Sequence, residues 1–231
     1  MWNPDGDRLM NVVVIGATGG IGAALSEALE QRGDRVLQIG RRTTPGLDLL
    51  DEASIVAAAR AAGTDLSLVI DATGFLHDAR FQPEKSLRQI DAAQMAYSFA
   101  INATGPALLM KHFLPLLARN GRAVFATLSA RVGSIADNRL GGWHSYRASK
   151  AALNQILRTA AMELVRTRPQ TICVALHPGT VGTTLSGPFA KGGLEGQSSA
   201  QSAARLLAVI DRLTPAETGL LLDQHGVVIP F

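Results

Sequence analysis

Cysteine is nearly missing from this sequence, since Cys173 is the single one among 231 residues. One thiol excludes an intramolecular disulfide framework and a metal site built from several cysteines, and it suits a reducing compartment. The five histidines show neither the His-x-x-x-His spacing nor the carboxylate spacing of metal sites. The sequence therefore predicts no bound metal ion.

Long apolar runs and clusters of positive charge are absent as well. No uninterrupted apolar stretch approaches the roughly 20 residues that span a bilayer, and Asp5 and Asp7 stand where a secretory signal has its apolar core. The 22 basic residues exceed the 19 acidic ones by three, but they are scattered rather than gathered in a stripe. We therefore expect a cytoplasmic protein that binds neither membranes nor nucleic acids.

The apolar residues that are present suffice for a sizeable core in one domain, residues 1–231. Hydrophobic residues make up 47% of the chain and charged residues 18%, which is the opposite of the balance that disorder needs. Short apolar runs alternate with longer Ala- and Leu-rich segments. The predicted strands span residues 10–15, 35–39, 66–70, 123–128 and 171–176, with 219–222 and 227–229 as a last strand and its edge. The predicted helices span residues 21–31, 53–62, 92–119, 145–166 and 199–213. This alternation favours a single-domain α/β Rossmann fold, a doubly wound parallel sheet of about seven strands with helices on both faces.

A glycine-rich turn follows the first predicted strand and leads into the first predicted helix. Its order is Gly16-Ala17-Thr18-Gly19-Gly20-Ile21-Gly22. Glycines let the backbone turn tightly and approach a pyrophosphate, whose charge is held by the N–H groups at the start of the helix. The spacing Gly-x-x-x-Gly-x-Gly differs from the usual Gly-x-Gly-x-x-Gly fingerprint, but its place indicates a dinucleotide site.

Two arginines, Arg41 and Arg42, follow the second predicted strand. A site for NAD usually has an acidic residue there, on the ribose 2′-hydroxyl. A basic pair suits a 2′-phosphate instead, and an ordinary exposed arginine pair is the alternative. The pattern favours NADP(H) over NAD(H).

Tyr146 and Lys150 stand four residues apart at the start of a predicted long helix, a spacing that puts both on one helical face. A cation near a phenol stabilises the phenolate and lowers the pKa of the tyrosine. Such a tyrosine can give a proton to a carbonyl oxygen as a hydride arrives, or remove one in the reverse direction. The pair predicts acid–base chemistry.

The chain length, the glycine spacing and the Tyr-x-x-x-Lys pair together resemble the short-chain dehydrogenase/reductase family, over nearly the whole chain. Residues 131–138 and the following Gly141-Gly142-Trp143 are similar to its C-factor and sniffer-type carbonyl reductases. The resemblance implies further cofactor contacts by Asp48 and Leu49 at the adenine ring, by Ala72, Thr73 and Gly74 after the third strand, and by Pro178, Gly179, Val181 and Thr183 at the nicotinamide carboxamide. The segment Asp71-Ala72-Thr73-Gly74 diverges from the family's Asn-Asn-Ala-Gly.

The resemblance also implies catalytic roles. Tyr146 is the general acid/base, and Lys150 lowers its pKa and hydrogen-bonds the nicotinamide ribose. Asn102 holds a water that links Lys150 to solvent, and a polar residue that relieves a kink in a long helix is a compatible reading of the same position.

Two serines are candidates for the carbonyl-binding serine of this set. The family has it three residues before a glycine, and counting back from Gly133 gives Ala130. Ser129 fits if the turn carries a one-residue insertion, and Ser134 is a second candidate. We favour Ser129, which would donate to the substrate oxygen.

The sequence thus predicts an NADP(H)-dependent oxidoreductase that interconverts an aldehyde or ketone and an alcohol. The alternative is an NADP(H)-binding signalling or regulatory protein with little turnover. The substrate itself would be chosen by a Gly- and Ser-rich loop, residues 186–202. The resemblance further implies a homodimer or homotetramer, paired through the predicted helices 92–119 and 145–166.

Overall fold

The computed structural model describes residues 10–183 and 196–231, and these residues form one parallel sheet of six strands. The strands are β1 (Asn11–Ile15), β2 (Arg35–Ile39), β3 (Leu68–Asp71), β4 (Ala123–Leu128), β5 (Thr171–His177) and β6 (Leu221–Asp223). Their spatial order is β2-β1-β3-β4-β5-β6, and all neighbouring strands are parallel.

The strand order reverses beside β1, and this reversal determines where a site can lie. The chain runs outward from β1 to β2 and then returns to place β3 on the other side of β1. The register pairs Ile15 with Asp71 and Asp71 with Thr127, so these strands finish at the same edge of the sheet. In doubly wound sheets, ligands bind in the crevice beyond that edge.

Helices cover both faces of the sheet. They are α1 (Gly20–Gln31), α2 (Glu52–Ala62), α3 (Ala92–Phe99), α4 (Gly105–Phe113), α5 (His144–Val165) and α6 (Ser199–Arg212). The core beneath α1 and α6 takes Val12 and Val14 from β1, whereas the core beneath α2, α4 and α5 takes Val13 and Ile15. Burial on both faces explains why β1 is a continuous apolar run rather than an alternating one.

The fold class is confirmed, but the predicted seventh strand is wrong. Asp223 accepts hydrogen bonds from the backbone N–H groups of His225 and Val227, which close a tight turn directly after β6. The returning chain makes only an isolated antiparallel bridge between Val228 and Leu222, so residues 227–229 do not form a strand.

The single long helix predicted over residues 92–119 is also wrong. After α3 the chain passes through a π-helical segment, Ala100–Thr104, before α4 begins, and a 3-10 turn, Leu114–Leu116, follows α4. Pro106 lacks the N–H that would bond to the carbonyl of Asn102, so a regular helix is interrupted there. The homodimer or homotetramer expected to pair through residues 92–119 and α5 stays a prediction.

The other predicted strands and helices lie within two residues of the observed bounds. The predicted substrate loop spans residues 186–202, and its residues 186–195 lie outside the described residues. Its last residues belong to α6, which Ser198 begins by a capping box with Gln201.

Candidate active site

The glycine turn after β1 is held against the end of β3 by close backbone contact. Gly16 has φ +83°, and a Cβ there would lie 2.9 Å from the carbonyl carbon and oxygen of Ala72. A Cβ at Gly22 would lie 2.2 Å from the Gly16 carbonyl oxygen, so α1 can approach the turn only because Gly22 has no side chain. Thr18, Gly19 and Gly20 are exposed in this turn, whereas Ile21 is half-buried.

The arginine pair lies beside the glycine turn. Arg41 and Arg42 are both exposed where β2 ends, and a Cβ at Gly40 would lie 3.0 Å from Thr18 Oγ1. The two residues predicted at an adenine ring lie further along the same connection. The Asp48 carboxylate accepts from Leu50 N at 2.9 Å, and the Leu49 side chain packs against Gly105.

Asp71 closes β3 as a buried carboxylate that the sequence did not single out. It accepts from Thr73 N at 3.0 Å, from Thr73 Oγ1 at 2.6 Å and from Thr127 Oγ1 at 2.7 Å. Burial raises the pKa of Asp71, while the bonds from both threonines and the charge of Lys150 act in the opposite direction. Thr73 is therefore fixed by Asp71, and Lys150 has a buried acidic neighbour.

Asn102 lies in the π-helical segment and is fully buried. Its Oδ1 accepts from Phe75 N at 2.8 Å, and its Nδ2 donates to Phe75 O at 2.8 Å and to Ser149 Oγ at 3.1 Å. Asn102 thus joins the chain after β3 to α5. Segments of this kind inside α-helices are frequent at functional sites.

Tyr146 lies in the first turn of α5, and Lys150 follows one turn later. Lys150 is 3% exposed, and its Nζ donates to Leu128 O at 2.8 Å. Burial lowers the pKa of Lys150 to about 8, although the carboxylate of Asp71 acts to raise it. Lys150 therefore keeps its charge at neutral pH.

The phenol of Tyr146 is surrounded by protein, and this affects its pKa. Burial raises the pKa of Tyr146 to about 12. Loss of water around the phenol is the cause of this shift, and the role of Lys150 in lowering the pKa of Tyr146 stays a prediction. Tyr146 consequently keeps its proton at neutral pH.

The two candidate serines are both buried and both engaged. Ser129 continues β4, since its N–H donates to Leu176 O, and its Oγ donates to Asn154 Oδ1 at 2.7 Å. Ser134 Oγ accepts from Asp137 N at 3.1 Å. Ala130 precedes a 3-10 turn, Arg131–Gly133, that leads to Ser134. The choice between Ser129 and Ser134 stays a prediction.

The segment after β5 is fixed by a polar cluster that the sequence analysis missed. Gln197 Nε2 donates to Pro178 O at 2.5 Å and also bonds to Gln224 Oε1, and Arg205 Nη1 donates to Gln197 Oε1 at 2.8 Å. Gly179, at φ +78°, packs against the two glutamine amides. Glutamines in polar segments are typical of solvated surface, so no pattern in the sequence points to them.

The remaining residues of this segment approach the glycine turn. Val181 is buried and forms an isolated parallel bridge with Gln197. A Cβ at Gly20 would lie 3.0 Å from Thr183 Cγ2. The segment predicted at the nicotinamide therefore reaches the turn predicted at the pyrophosphate.

The separate motifs meet at the carboxyl edge of the sheet. A Cβ at Gly74 would lie 3.7 Å from both Lys150 Nζ and Asn102 Oδ1. The structure thus brings the segment after β3, the π-helical segment and α5 together, next to the glycine turn that contacts Ala72. Arg41, Arg42 and Asp48 lie at the β2 end of the same edge.

Residues 10–183 and 196–231 contain neither a cluster of metal-ligating side chains nor a membrane-spanning helix. No group of three or more His, Cys, Asp and Glu side chains there has the arrangement of a metal site. None of the helices described is long and apolar enough to cross a membrane. Cys173 is fully buried in β5, and burial raises the pKa of its thiol to about 12.

A doubly wound sheet with a glycine turn after β1 and a Tyr-x-x-x-Lys pair at its carboxyl edge defines a Rossmann-type protein. A family model described as enoyl-(acyl carrier protein) reductase matches residues 24–224. The chain belongs to the short-chain dehydrogenase/reductase family and is an oxidoreductase of that family.

Individual relatives support this assignment along the whole chain. A 1-hydroxy-2-glutathionyl-2-methyl-3-butene dehydrogenase of Rhodococcus sp. (strain AD45) is 30% identical over 234 residues, which cover 96% of this chain and 100% of that protein. C-signal of Myxococcus xanthus is 37% identical over 147 residues, 63% of this chain and 84% of that protein. The NADPH-bound carbonyl reductase from chicken fatty liver matches with a TM-score of 0.84 at 27% identity, covering 97% of this chain and 100% of that one.

Proposed function

We propose that this protein is an NADP(H)-dependent reductase that interconverts an aldehyde or ketone and the corresponding alcohol. The observation that carries the proposal is that Lys150, Asn102 and Gly74 lie close together beside the glycine turn. Tyr146 lies one helical turn before Lys150. This arrangement puts a proton donor, a buried cation and a backbone suited to a pyrophosphate at one edge of the sheet.

The residues present fit a phosphorylated dinucleotide. Gly19 begins α1 without a side-chain cap, and the turn before it is exposed, so the first N–H groups of α1 can face a pyrophosphate. Arg41 and Arg42 are exposed beside this turn and suit the charge of a 2′-phosphate. The similar chicken carbonyl reductase, which is bound to NADPH, supports the same cofactor.

NADPH, when bound, supplies the hydride, and this chain supplies the proton. Tyr146 is proposed to donate its phenolic proton to the carbonyl oxygen, and its raised pKa keeps that proton available at neutral pH. The charged ammonium of Lys150 then stabilises the tyrosinate as it forms. Asn102, which bonds to Ser149 on α5, is proposed to hold the water that returns a proton towards Lys150.

A second candidate function is that of an NADP(H)-binding regulatory protein with little turnover. The specific observation in its favour is that the Ser129 hydroxyl donates to Asn154, while Ala130 stands three residues before Gly133. A site without a free hydroxyl lacks one donor for the developing charge on the substrate oxygen. The similarity to C-signal points in the same direction.

The test is consumption of NADPH and NADH with a panel of aldehydes, ketones and diketones, together with direct titration of NADPH binding. Native protein should consume NADPH, and Tyr146→Phe should lose nearly all of that activity while it still binds NADPH. Binding without turnover in the native protein would favour the regulatory function. Failure to bind NADPH would contradict both functions.

Two variants, Ala130→Ser and Ser129→Ala, distinguish position 130 from position 129 as the place of the carbonyl-binding hydroxyl. If Ala130 occupies the place of the carbonyl-binding serine, Ala130→Ser should raise kcat by at least about tenfold, since one oxyanion donor contributes that much or more. Ser129→Ala should then leave kcat within about twofold. A large loss of kcat in Ser129→Ala would instead support the role that the sequence predicts for Ser129.

A further inference from the structure

The start of α5 is held by a carboxylate from a different part of the chain. Glu84 belongs to the connection between β3 and α3, and it is only 2% exposed. Its Oε1 accepts from Ser145 N at 3.2 Å, its Oε2 accepts from the same N–H at 3.3 Å, and Ser145 Oγ donates to Oε1. Ser145 directly precedes Tyr146, so this carboxylate bonds to the turn that carries the proposed proton donor.

This helix start has no cap of its own. The N-cap residue is Trp143, which has φ +53° and ψ +42° and no side-chain capping bond. The first N–H groups of a helix need partners from outside it, and a carboxylate there also complements the positive end of the helix dipole. The Glu84 side chain accepts a hydrogen bond from Ser145 N, and the Glu84 carbonyl accepts from Trp143 N at 2.5 Å.

The segment that carries Glu84 is itself anchored to α3. Gln94, a buried residue of α3, donates from Nε2 to Gln82 O at 2.8 Å. The ring of Phe81 lies 5.9 Å from the ring of Tyr97 on α3, measured between centroids. Glu84 is therefore presented to α5 from a fixed support rather than from a free surface loop.

The first turn of α5 also makes contacts that depend on its position. The ring centroids of Trp143 and Tyr146 are 6.2 Å apart in an edge-to-face arrangement. If the Ser145 N–H lost its partner, the bond from Trp143 N to the Glu84 carbonyl would remain, but the backbone next to Tyr146 would lose its own anchor and could shift. Lys150, one turn further along, is held separately by Leu128 O.

We propose that Glu84 is a positioning residue for Tyr146. Glu84 caps α5 from outside the helix and thereby fixes the Tyr146 phenol for proton transfer. The inference rests on the proposed function, because it assumes that Tyr146 is the proton donor. Misplacement of a reacting group by about 1 Å can lower a rate by about a hundredfold, so loss of this cap should appear in kcat.

The kinetic test compares Glu84→Ala, Glu84→Gln and a matched control. Glu84→Ala should lower kcat by about tenfold or more, with the dissociation constant of NADPH within about twofold of native, since the glycine turn is untouched. Glu84→Gln keeps an oxygen that accepts from Ser145 N, and it should recover most of the lost kcat. Asp51→Ala removes the side-chain cap of α2, which accepts from Ala53 N at 3.0 Å, and should leave kcat unchanged.

A role in stability alone would give a different pattern. It would lower the amount of folded protein in Glu84→Ala and leave kcat per NADPH-binding site at the native value, and that result would overturn the proposal. Should Glu84→Ala not fold, Glu84→Asp replaces it, because the shorter side chain withdraws the carboxylate while keeping its charge. The same loss of kcat is then expected, on a smaller scale.

Hydrogen exchange of the peptide over residues 143–150 tests the cap without any turnover. Glu84→Ala should speed exchange of this peptide by about tenfold or more, whereas Glu84→Gln and Asp51→Ala should exchange at the native rate. If the native protein reduces none of the carbonyls, the proposed function fails while this measurement still decides the role of Glu84. Native exchange rates in Glu84→Ala would overturn it.

Discussion

Replacing Lys150 by methionine should remove a defined part of the pH dependence of stability. Lys150 is buried, and burial lowers the pKa of its ammonium from the ordinary 10.5 to about 8. Between these two values the unfolded chain binds more protons than the folded chain, so the free energy of unfolding rises with pH. From pH 7 to pH 9 the contribution of Lys150 to this rise is about 1 kcal/mol.

The assay is urea unfolding of cofactor-free native protein, Lys150→Met and Lys111→Met at pH 7 and pH 9. Cys173 and Tyr146 act in the opposite direction, because burial raises the pKa of each to about 12 and their unfolded forms ionise first. Both residues are present in all three proteins, so their effect cancels in the comparison. Lys111 has an exposed side chain and serves as the matched control.

Relative to native, Lys150→Met should lose about 1 kcal/mol of the stability gain between the two pH values, and Lys111→Met should lose none of it. An equal gain in native protein and Lys150→Met would refute the reasoning. It would show that Lys150 has the same degree of protonation in the folded and unfolded states between pH 7 and pH 9.

Three further predictions concern packed or buried positions. Gly22→Ala should lower the free energy of unfolding, measured in urea, by about 1–3 kcal/mol or more, because its Cβ would lie 2.2 Å from Gly16 O. Gly19→Ala is the control: it should preserve stability and weaken only NADPH binding, as measured by titration. Asn102→Ala should cost about 3 kcal/mol in the same unfolding assay, since it leaves a buried N–H and a buried C=O without their partners. The buried thiol of Cys173 should react with Ellman's reagent only as fast as the protein unfolds, and rapid reaction of the native state would contradict its burial.

The fold was predictable where burial leaves a continuous pattern in the sequence. The runs at β1 and β4 are apolar on both faces, so their positions follow from composition alone. The interruption before α4 was missed because Pro106 and Asn102 act through one absent hydrogen bond inside a sequence that otherwise suits a helix. The end of β6 was missed because the side chain of Asp223 closes a turn, which apolar patterning does not reveal.

The site was predictable where one motif implies one local geometry. The glycine turn and the Tyr146–Lys150 spacing each define their own structure, and the sheet then brings them together. The carboxylates of Asp71 and Glu84 were not predictable, because their roles depend on partners that are distant in sequence, such as Thr127 and Ser145. The effect of burial on the pKa of Tyr146 was not predictable for the same reason, since burial depends on the assembled fold.

The most direct test of the central claim follows a hydride and a proton together. NADPH that carries deuterium at both C4 positions of the nicotinamide, so that the hydride from either face is labelled, would be incubated with each carbonyl of the panel, with native protein and with Tyr146→Phe. We predict deuterium on the carbinol carbon of the alcohol formed by the native protein, and almost none of that alcohol with Tyr146→Phe. Alcohol without deuterium, or equal turnover by the two proteins, would contradict the account.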